Sequence, residues 1–445
     1  MKIDVLVAEI GSTTTLVNAF NIKEKVVFLG RGFSKTTIND VNLGLTEAID
    51  NLKVNLGAKD IEYQELFASS SAAGGLKITV HGLVYEMTSK AAKEAALNAG
   101  ANLYLVTAGD LEEEDLKNIK EINPNIIIIA GGTNYGEKET SYHNLLKVVP
   151  LKIPIIYAGN ISNQQRINNL NNENIKIVDN VYPRVDDFNI LPLRKAIYDV
   201  FGNHIIHAKG MSEIVKKING RIIPTPGAVM DATLLLNELI KGVLTIDIGG
   251  ATTDIHSVSE PKPIYQKYLE GEPFSKRTVE GDLGVFVNRN FVYQTFKHDY
   301  LESKLNLSKE TILKLIQEEP FIPKTIEGKK VIDELTIRCL ELGLNRHVGD
   351  LKRVYTTNGL KVIPEGKDLS QVKVVTLTGG ALLNLENAQE CVLNYFKSSP
   401  TKLVPNEGVL VLKDEDYLFS SIGVLAQKYP NEAKELLKKT LRWEG

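Results

Sequence analysis

Cysteine is nearly absent. Cys339 and Cys391 are the two in 445 residues, which excludes a disulfide framework and a Cys-rich metal site and leaves both as small buried hydrophobes. Histidine is sparse too: the seven are scattered, with no His-x-x-x-His or Glu-x-x-His pair at zinc spacing. His204 and His207, which could face one another on a helix, read as packing residues. No apolar stretch approaches ~18 residues without a charge or a turn former, so no transmembrane helix is expected. A formal charge of −3 gives no footing for nucleic acid or for a membrane surface. The chain enters an apolar strand at once, with no basic and apolar leader, so no signal peptide is read. A Gly-x-Ser-x-Gly elbow and a P-loop Lys motif are also missing. With 43% hydrophobic and 24% charged residues, the expectation is a cytoplasmic, soluble protein of two or three domains.

What is present is one device, used twice. Glu9-Ile-Gly-Ser-Thr-Thr-Thr15 follows the apolar run 3–8, and Asp247-Ile-Gly-Gly-Ala-Thr-Thr-Asp254 follows the run 242–246. In each, a hydrophobic strand delivers an acidic residue, then a Gly turn with small hydroxyl residues, then a second strand. A hairpin without bulky side chains can approach a polyphosphate closely and aim N–H groups at it. The acidic residue beside it can hold Mg2+ through water. Two such hairpins facing each other would clamp the phosphates and metal of a nucleotide.

Along the chain, strands are expected at 3–8, 16–20 and 26–30, a helix over 41–56 with Asn39 or Asp40 as its cap, and a strand at 65–68. From 76 to 205 near-continuous apolar strands (76–85, 103–108, 125–130, 153–158, 175–178) alternate with helices at 89–99 and 112–122. That pattern argues for a parallel sheet covered on both faces. The turns Ala130-Gly-Gly-Thr-Asn-Tyr-Gly136 and Ala158-Gly-Asn160 sit at strand C-terminal ends, where such sheets bind ligands; the plainer alternative is that their glycines only make tight turns. Later helices are expected at 284–296, 308–318, 328–345 and 417–427. A strand, a Gly-Gly turn and a helix start fall within 372–383. A basic helix at 434–443 reads as a solvated face. The domain boundaries that follow are 1–75, an insertion at 76–205, a return segment at 206–241, a second block at 242–425 and a terminal helix at 426–445.

Glu9-Ile-Gly-Ser-Thr, Asp247-Ile-Gly-Gly-Ala-Thr-Thr-Asp and Leu377-Thr-Gly-Gly-Ala-Leu382 together, in that order and at that wide spacing, resemble the phosphate-1, phosphate-2 and adenosine segments of the actin, sugar-kinase and heat-shock-chaperone ATPase superfamily. The resemblance implies an α/β, actin-like (ribonuclease-H-like) two-lobed ATPase fold carrying an inserted Rossmann- or flavodoxin-like parallel-sheet domain. Phe67-Ala-Ser-Ser-Ser-Ala-Ala-Gly-Gly-Leu-Lys77, Asn123-Pro-Asn-Ile-Ile-Ile-Ile-Ala-Gly-Gly-Thr133, Thr225-Pro-Gly-Ala-Val-Met230 and Arg277-Thr-Val-Glu-Gly-Asp-Leu-Gly284 narrow it further. They resemble the GlmL/MutL family, associated with glutamate mutase and other adenosylcobalamin-dependent mutases and distinct from the mismatch-repair MutL. That implies ATP and Mg2+ as cofactors, mutase subunits as partners, and an ATP-dependent reactivase or chaperone working as a monomer or homodimer. Asp-x-His-x-x-Gly, the cobalamin-cradling signature of the mutases themselves, is absent.

On this reading Gly11, Ser12, Thr13 and Thr14 supply donors to the β- and γ-phosphates, and Gly249, Gly250, Ala251 and Thr252 do so from the other lobe. Asp247 orients the metal's water shell or the attacking water. Gly379, Gly380 and Ala381 let adenine and ribose lie against the backbone. Glu280 and Asp282 are candidates for placing a metal or nucleophile, with Asp282 alternatively a helix N-cap. The superfamily's first hairpin begins with Asp where this chain has Glu9, whose extra methylene carries the carboxylate past a water-mediated Mg2+ position. Three functions follow: a nucleotide-driven change of lobe angle that exchanges damaged cobalamin in the mutase; a nucleotide-holding assembly scaffold without turnover; and a small-molecule kinase using Asp282 as acceptor base.

Overall fold

The computed structural model describes residues 1–445 apart from 12–13, 38–39, 72–75, 206–209, 270–271, 357–358, 406–407 and 445, with the backbone alone at 203–205 and 356. It divides into two compact units. The first comprises 1–235, 270–273 and 420–436; the second comprises 236–269, 274–419 and 437–445.

Each unit contains a five-stranded sheet of the same topology. In the first, strands Lys2–Ile10 and Thr14–Asn21 form an antiparallel hairpin, Val27–Lys35 adds antiparallel on the outside, and Glu62–Ser70 and then Ile223–Pro224 add parallel to the opening strand. In the second, Val243–Ile248 and Thr253–Val258 form the hairpin, Ser275–Glu280 flanks it, and Val374–Thr378 and Leu410–Lys413 complete the parallel half. Numbered by order of use, both sheets run 3-2-1-4-5. This is the duplicated actin-like arrangement.

The opening strands are apolar because both of their faces are covered. Ile3, Val5, Leu6, Val7, Ala8 and Ile10 are all buried, as are Leu244, Ile246 and Ile248. In the second unit the helix Ile326–His347, capped by Thr325 on the Gly328 N–H, lays Val331, Leu335, Cys339, Leu340 and Leu344 into that core. Each such leucine stabilises by about 2 kcal/mol. Cys339 is buried and Cys391 half-buried, both as free thiols.

The first unit carries a second sheet with no antiparallel pair. Strands Lys77–Gly82, Asn102–Ala108, Ile126–Ile129, Ile155–Tyr157 and Ile175–Ile177 are all parallel, in the order 2-1-3-4-5, which selects the flavodoxin-like over the Rossmann order. Its isoleucines pack with Ile119, Leu145 and Val148 from the covering helices.

Several local expectations need correction. Asp40 caps the helix Val41–Asn55, its side chain accepting from Asn42 N–H; Asn39 lies outside the described residues. The segment 284–288 is not helical, and the helix there shortens to Arg289–Gln294, because the amides of Val285, Phe286 and Val287 are spent on Gly249 and Gly250 carbonyls. The C-terminal helix Pro430–Thr440 is no solvated face. Ala433, Leu436 and Leu437 are buried, a helical stripe beneath the lysines. Among the described residues no helix is long and apolar enough to cross a membrane.

Candidate functional site

Glu9 stands one residue before the end of its strand, opposite Leu16, with Ile10 opposite Thr15. Gly11 then closes the turn: its N–H donates to the Thr14 carbonyl at 3.0 Å, and a Cβ at Gly11 would stand 2.6 Å from that oxygen. Thr36 donates to the Gly11 carbonyl at 2.8 Å and meets the Thr15 hydroxyl at 2.9 Å, buttressing the turn from the neighbouring strand's end. Ser12 and Thr13 lie outside the described residues. The Glu9 carboxylate, half-buried, accepts a hydrogen bond from the Ser420 hydroxyl. Next to it, Ser421 bonds buried Asn18 at 2.8 Å.

The second turn repeats the first. Asp247 is opposite Asp254 and Ile248 opposite Thr253, and the Gly249 N–H donates to the Thr252 carbonyl at 3.0 Å. Here the whole loop is described, and its polar groups divide by kind. The Gly249 carbonyl accepts from Val285, that of Gly250 from Phe286 and Val287, and that of Ala251 from the Asn288 side chain. Among the described residues the N–H groups of Gly250 and Ala251 have no such partner. A loop with its acceptors spent and its donors unspent is suited to an anion. Gly250 itself is fixed by packing, since a Cβ would come within 2.5 Å of the Phe321 ring.

The two acids of this hairpin differ. Asp254 is buried and paired with buried Arg277 at 2.6 Å, with Thr252 donating to its other oxygen at 3.1 Å, so its charge is already matched. Asp247 is half-buried beside Gly379. Gly379 takes φ +88°, and a Cβ there would stand 2.4 Å from Asp247 Oδ1 and 2.5 Å from the Ile248 carbonyl oxygen. Gly379 is therefore required by its neighbouring strand. At Gly380, which opens the short helix Gly380–Asn384 with Ala381 next, a Cβ would meet nothing within 4 Å.

Behind this turn sits Asp414, fully buried. Thr378 donates to it at 3.0 Å, the Leu418 and Phe419 amides at 2.9 Å and Thr440 at 2.5 Å. Burial pushes its carboxyl pKa up, and those donors oppose the rise.

Glu280 and Asp282 are brought together by a residue that local sequence did not single out. Arg346 bonds Glu280 and grips both Asp282 oxygens, at 2.8 and 3.0 Å. Burial raises the Glu280 pKa and Arg346 draws it back. Asp282 caps no helix; its carboxylate is held by Arg346 instead.

In the inserted sheet, the glycine turns are explained by their own packing. A Cβ at Gly132 would lie 1.7 Å from the Glu137 carbonyl oxygen, and one at Gly159 2.9 Å from the Tyr157 hydroxyl. Asn160 is spent bridging the Gly136 and Glu137 carbonyls. His207 and the His204 side chain lie outside the described residues.

For a nucleotide the fit is favourable: unspent donors at Gly250 and Ala251, open space over Gly380, and a half-buried Asp247 alongside. No group of three acids or histidines suited to a metal occurs among the described residues. The acids offer single carboxylates, which suits Mg2+ retaining its own waters and does not suit a dehydrated ion.

Two units with one sheet order, each opened by the same glycine turn, define a duplicated actin-like α/β protein. The family model described as MutL protein matches residues 5–441. A curated relative, Protein MutL of Clostridium tetanomorphum, is 34% identical over 457 residues, covering 98% of this chain and 98% of that one. The chain belongs to the MutL family, distinct from the mismatch-repair protein of that name. Solved structures are similar at a distance. An ATP-dependent caprolactamase from Pseudomonas jessenii is 13% identical with a TM-score of 0.40, covering 94% of this chain and 70% of that one. A xylulose kinase from Lactobacillus acidophilus is 12% identical with a TM-score of 0.36, covering 99% of this chain and 92% of that one.

Proposed function

We propose that this protein is an ATP-driven reactivating factor for an adenosylcobalamin-dependent mutase such as glutamate mutase. The observation that carries nucleotide binding is the second turn, where the carbonyls of Gly249, Gly250 and Ala251 are bound to protein while the Gly250 and Ala251 amides have no partner among the described residues. Those amides would receive phosphate oxygens, Gly380 would leave room for the nucleoside, and Asp247 would hold the water shell of a magnesium ion. Hydrolysis of bound ATP would supply the free energy for a change of lobe angle. The coupling to a mutase rests on the family resemblance. Mutase inactivated by turnover and then supplied with fresh cofactor is expected to regain activity only with this protein and ATP together. Equal recovery without them overturns the proposal.

One observation favours a second reading. Glu9 stands where the superfamily has aspartate and is engaged by Ser420, so the chain could hold nucleotide and scaffold the mutase without turnover. The kinase reading gains nothing: Asp282, its acceptor base, has both oxygens on Arg346.

A further inference from the structure

One part of the second unit belongs to neither its core nor its glycine turns. Strands Asp350–Thr356 and Gly359–Glu365 pair with each other as a two-stranded ribbon, with one further bridge, Asp350 to Lys402, at its root. Its root is anchored: the Leu351 N–H donates to the Thr401 carbonyl at 2.7 Å, and Lys402 pairs with Asp350 at 3.0 Å. Tyr355 is directly opposite Leu360, and Arg353 opposite Val362. Opposed residues, and residues two apart on one strand, share a face, so these four side chains line one side of the ribbon. Tyr355 is 86%, Leu360 51% and Val362 54% exposed. An isolated two-stranded ribbon is marginal in water, and this one spends apolar side chains on solvent.

The charge pattern says what would cover it. Both carboxylates of the ribbon sit at its root and are paired, Asp350 with Lys402 and Glu365 with Lys352. Arg353 and Lys361, farther out, have no ion pair among the described residues. Arg353 therefore stands within the apolar strip, while Lys361, opposite Val354, adds its positive charge from the reverse face. A second copy is a poor occupant for ribbon-on-ribbon contact, since two-fold pairing of ribbons would set like charges together.

We propose that this ribbon is the docking element for a partner protein whose surface pairs an apolar strip with carboxylates. On the reading above, that partner is a mutase subunit, and the proposal rests on that reading. The test is binding of the full chain to purified glutamate mutase subunits, at low and raised salt. The variants are Tyr355→Ser with Leu360→Ser, and Arg353→Glu with Lys361→Glu, each with its unfolding transition checked against the parent. The parent is expected to bind, more weakly in salt, and both variants to bind at least tenfold more weakly with unaltered unfolding. Parental affinity in both variants overturns the ribbon's role and leaves the mutase reading standing. No binding by the parent overturns the mutase reading and the docking role with it. A parent that sediments as a dimer, with a monomeric serine variant, makes the occupant a second copy and likewise overturns the proposal.

Discussion

Gly379 and Gly380 are adjacent, yet a methyl group would meet opposite surroundings at the two positions. At Gly379 it would press into Asp247 and Ile248 on a backbone held at φ +88°; at Gly380 it would enter open space. Gly379→Ala should therefore destabilise the second unit by about 2 kcal/mol or more. Gly380→Ala should leave stability within about 0.5 kcal/mol of the parent while weakening ATP binding. Chemical unfolding and nucleotide titration of the two variants check both halves of that statement. The glycines themselves were legible because three glycine turns, each after an apolar strand, fall in one order along the chain; a single Gly-Gly turn, such as Gly131-Gly132, says less. Their partners were not. Ser420 lies 411 residues from Glu9 and Arg346 lies 64 from Asp282, and no local pattern chooses between one serine or arginine and another at such range. Asp282 reads as a helix cap because a helix is expected from 284; with the amides at 285–287 bonded to Gly249 and Gly250, that helix begins only at Arg289.

Among the elements, the inserted sheet carries a pH dependence of its own. His81 on the strand Lys77–Gly82 is buried between the Thr107 and Thr79 hydroxyls, at 2.8 and 3.0 Å. Burial lowers its pKa from 6.5 to about 4, with Asp115 opposing weakly. The unfolded segment takes up a proton near 6.5 and the folded one near 4. This contribution to stability is therefore complete above about pH 6.5 and is lost as pH falls through that window, to a total of about 3 kcal/mol. Hydrogen exchange of residues 77–82, corrected for intrinsic rate, should show protection falling by up to about tenfold per pH unit there. In His81→Leu the slope should flatten. The strands were legible as elements because five runs of isoleucine and valine between amphipathic helices have one economical arrangement. The order 2-1-3-4-5 was not, since the same runs serve a Rossmann sheet. In the C-terminal helix the lysines dominate the local sequence, whereas the spacing of Ala433, Leu436 and Leu437 sets the buried face. The ribbon 350–365 has no clear local signal, because it alternates weakly and carries apolar residues that stay exposed.

At the scale of the whole molecule, the same strand order and the same turn occur twice, and in the second turn the Gly250 and Ala251 N–H groups have no partner among the described residues while the carbonyls beside them are bound. Duplication of this kind was visible in two short motifs because it depends on backbone geometry, which glycine placement reports directly. On the proposed function, the turn of the second unit binds ATP with magnesium. Calorimetric titration of Mg-ATP into the whole chain, followed by phosphate release on the same sample and on Glu9→Asp, tests it most directly. Saturable binding is expected, weakened in Gly380→Ala. Slow phosphate release that rises in Glu9→Asp would place the limit on turnover at Glu9. Absence of saturable heat for Mg-ATP would contradict the account.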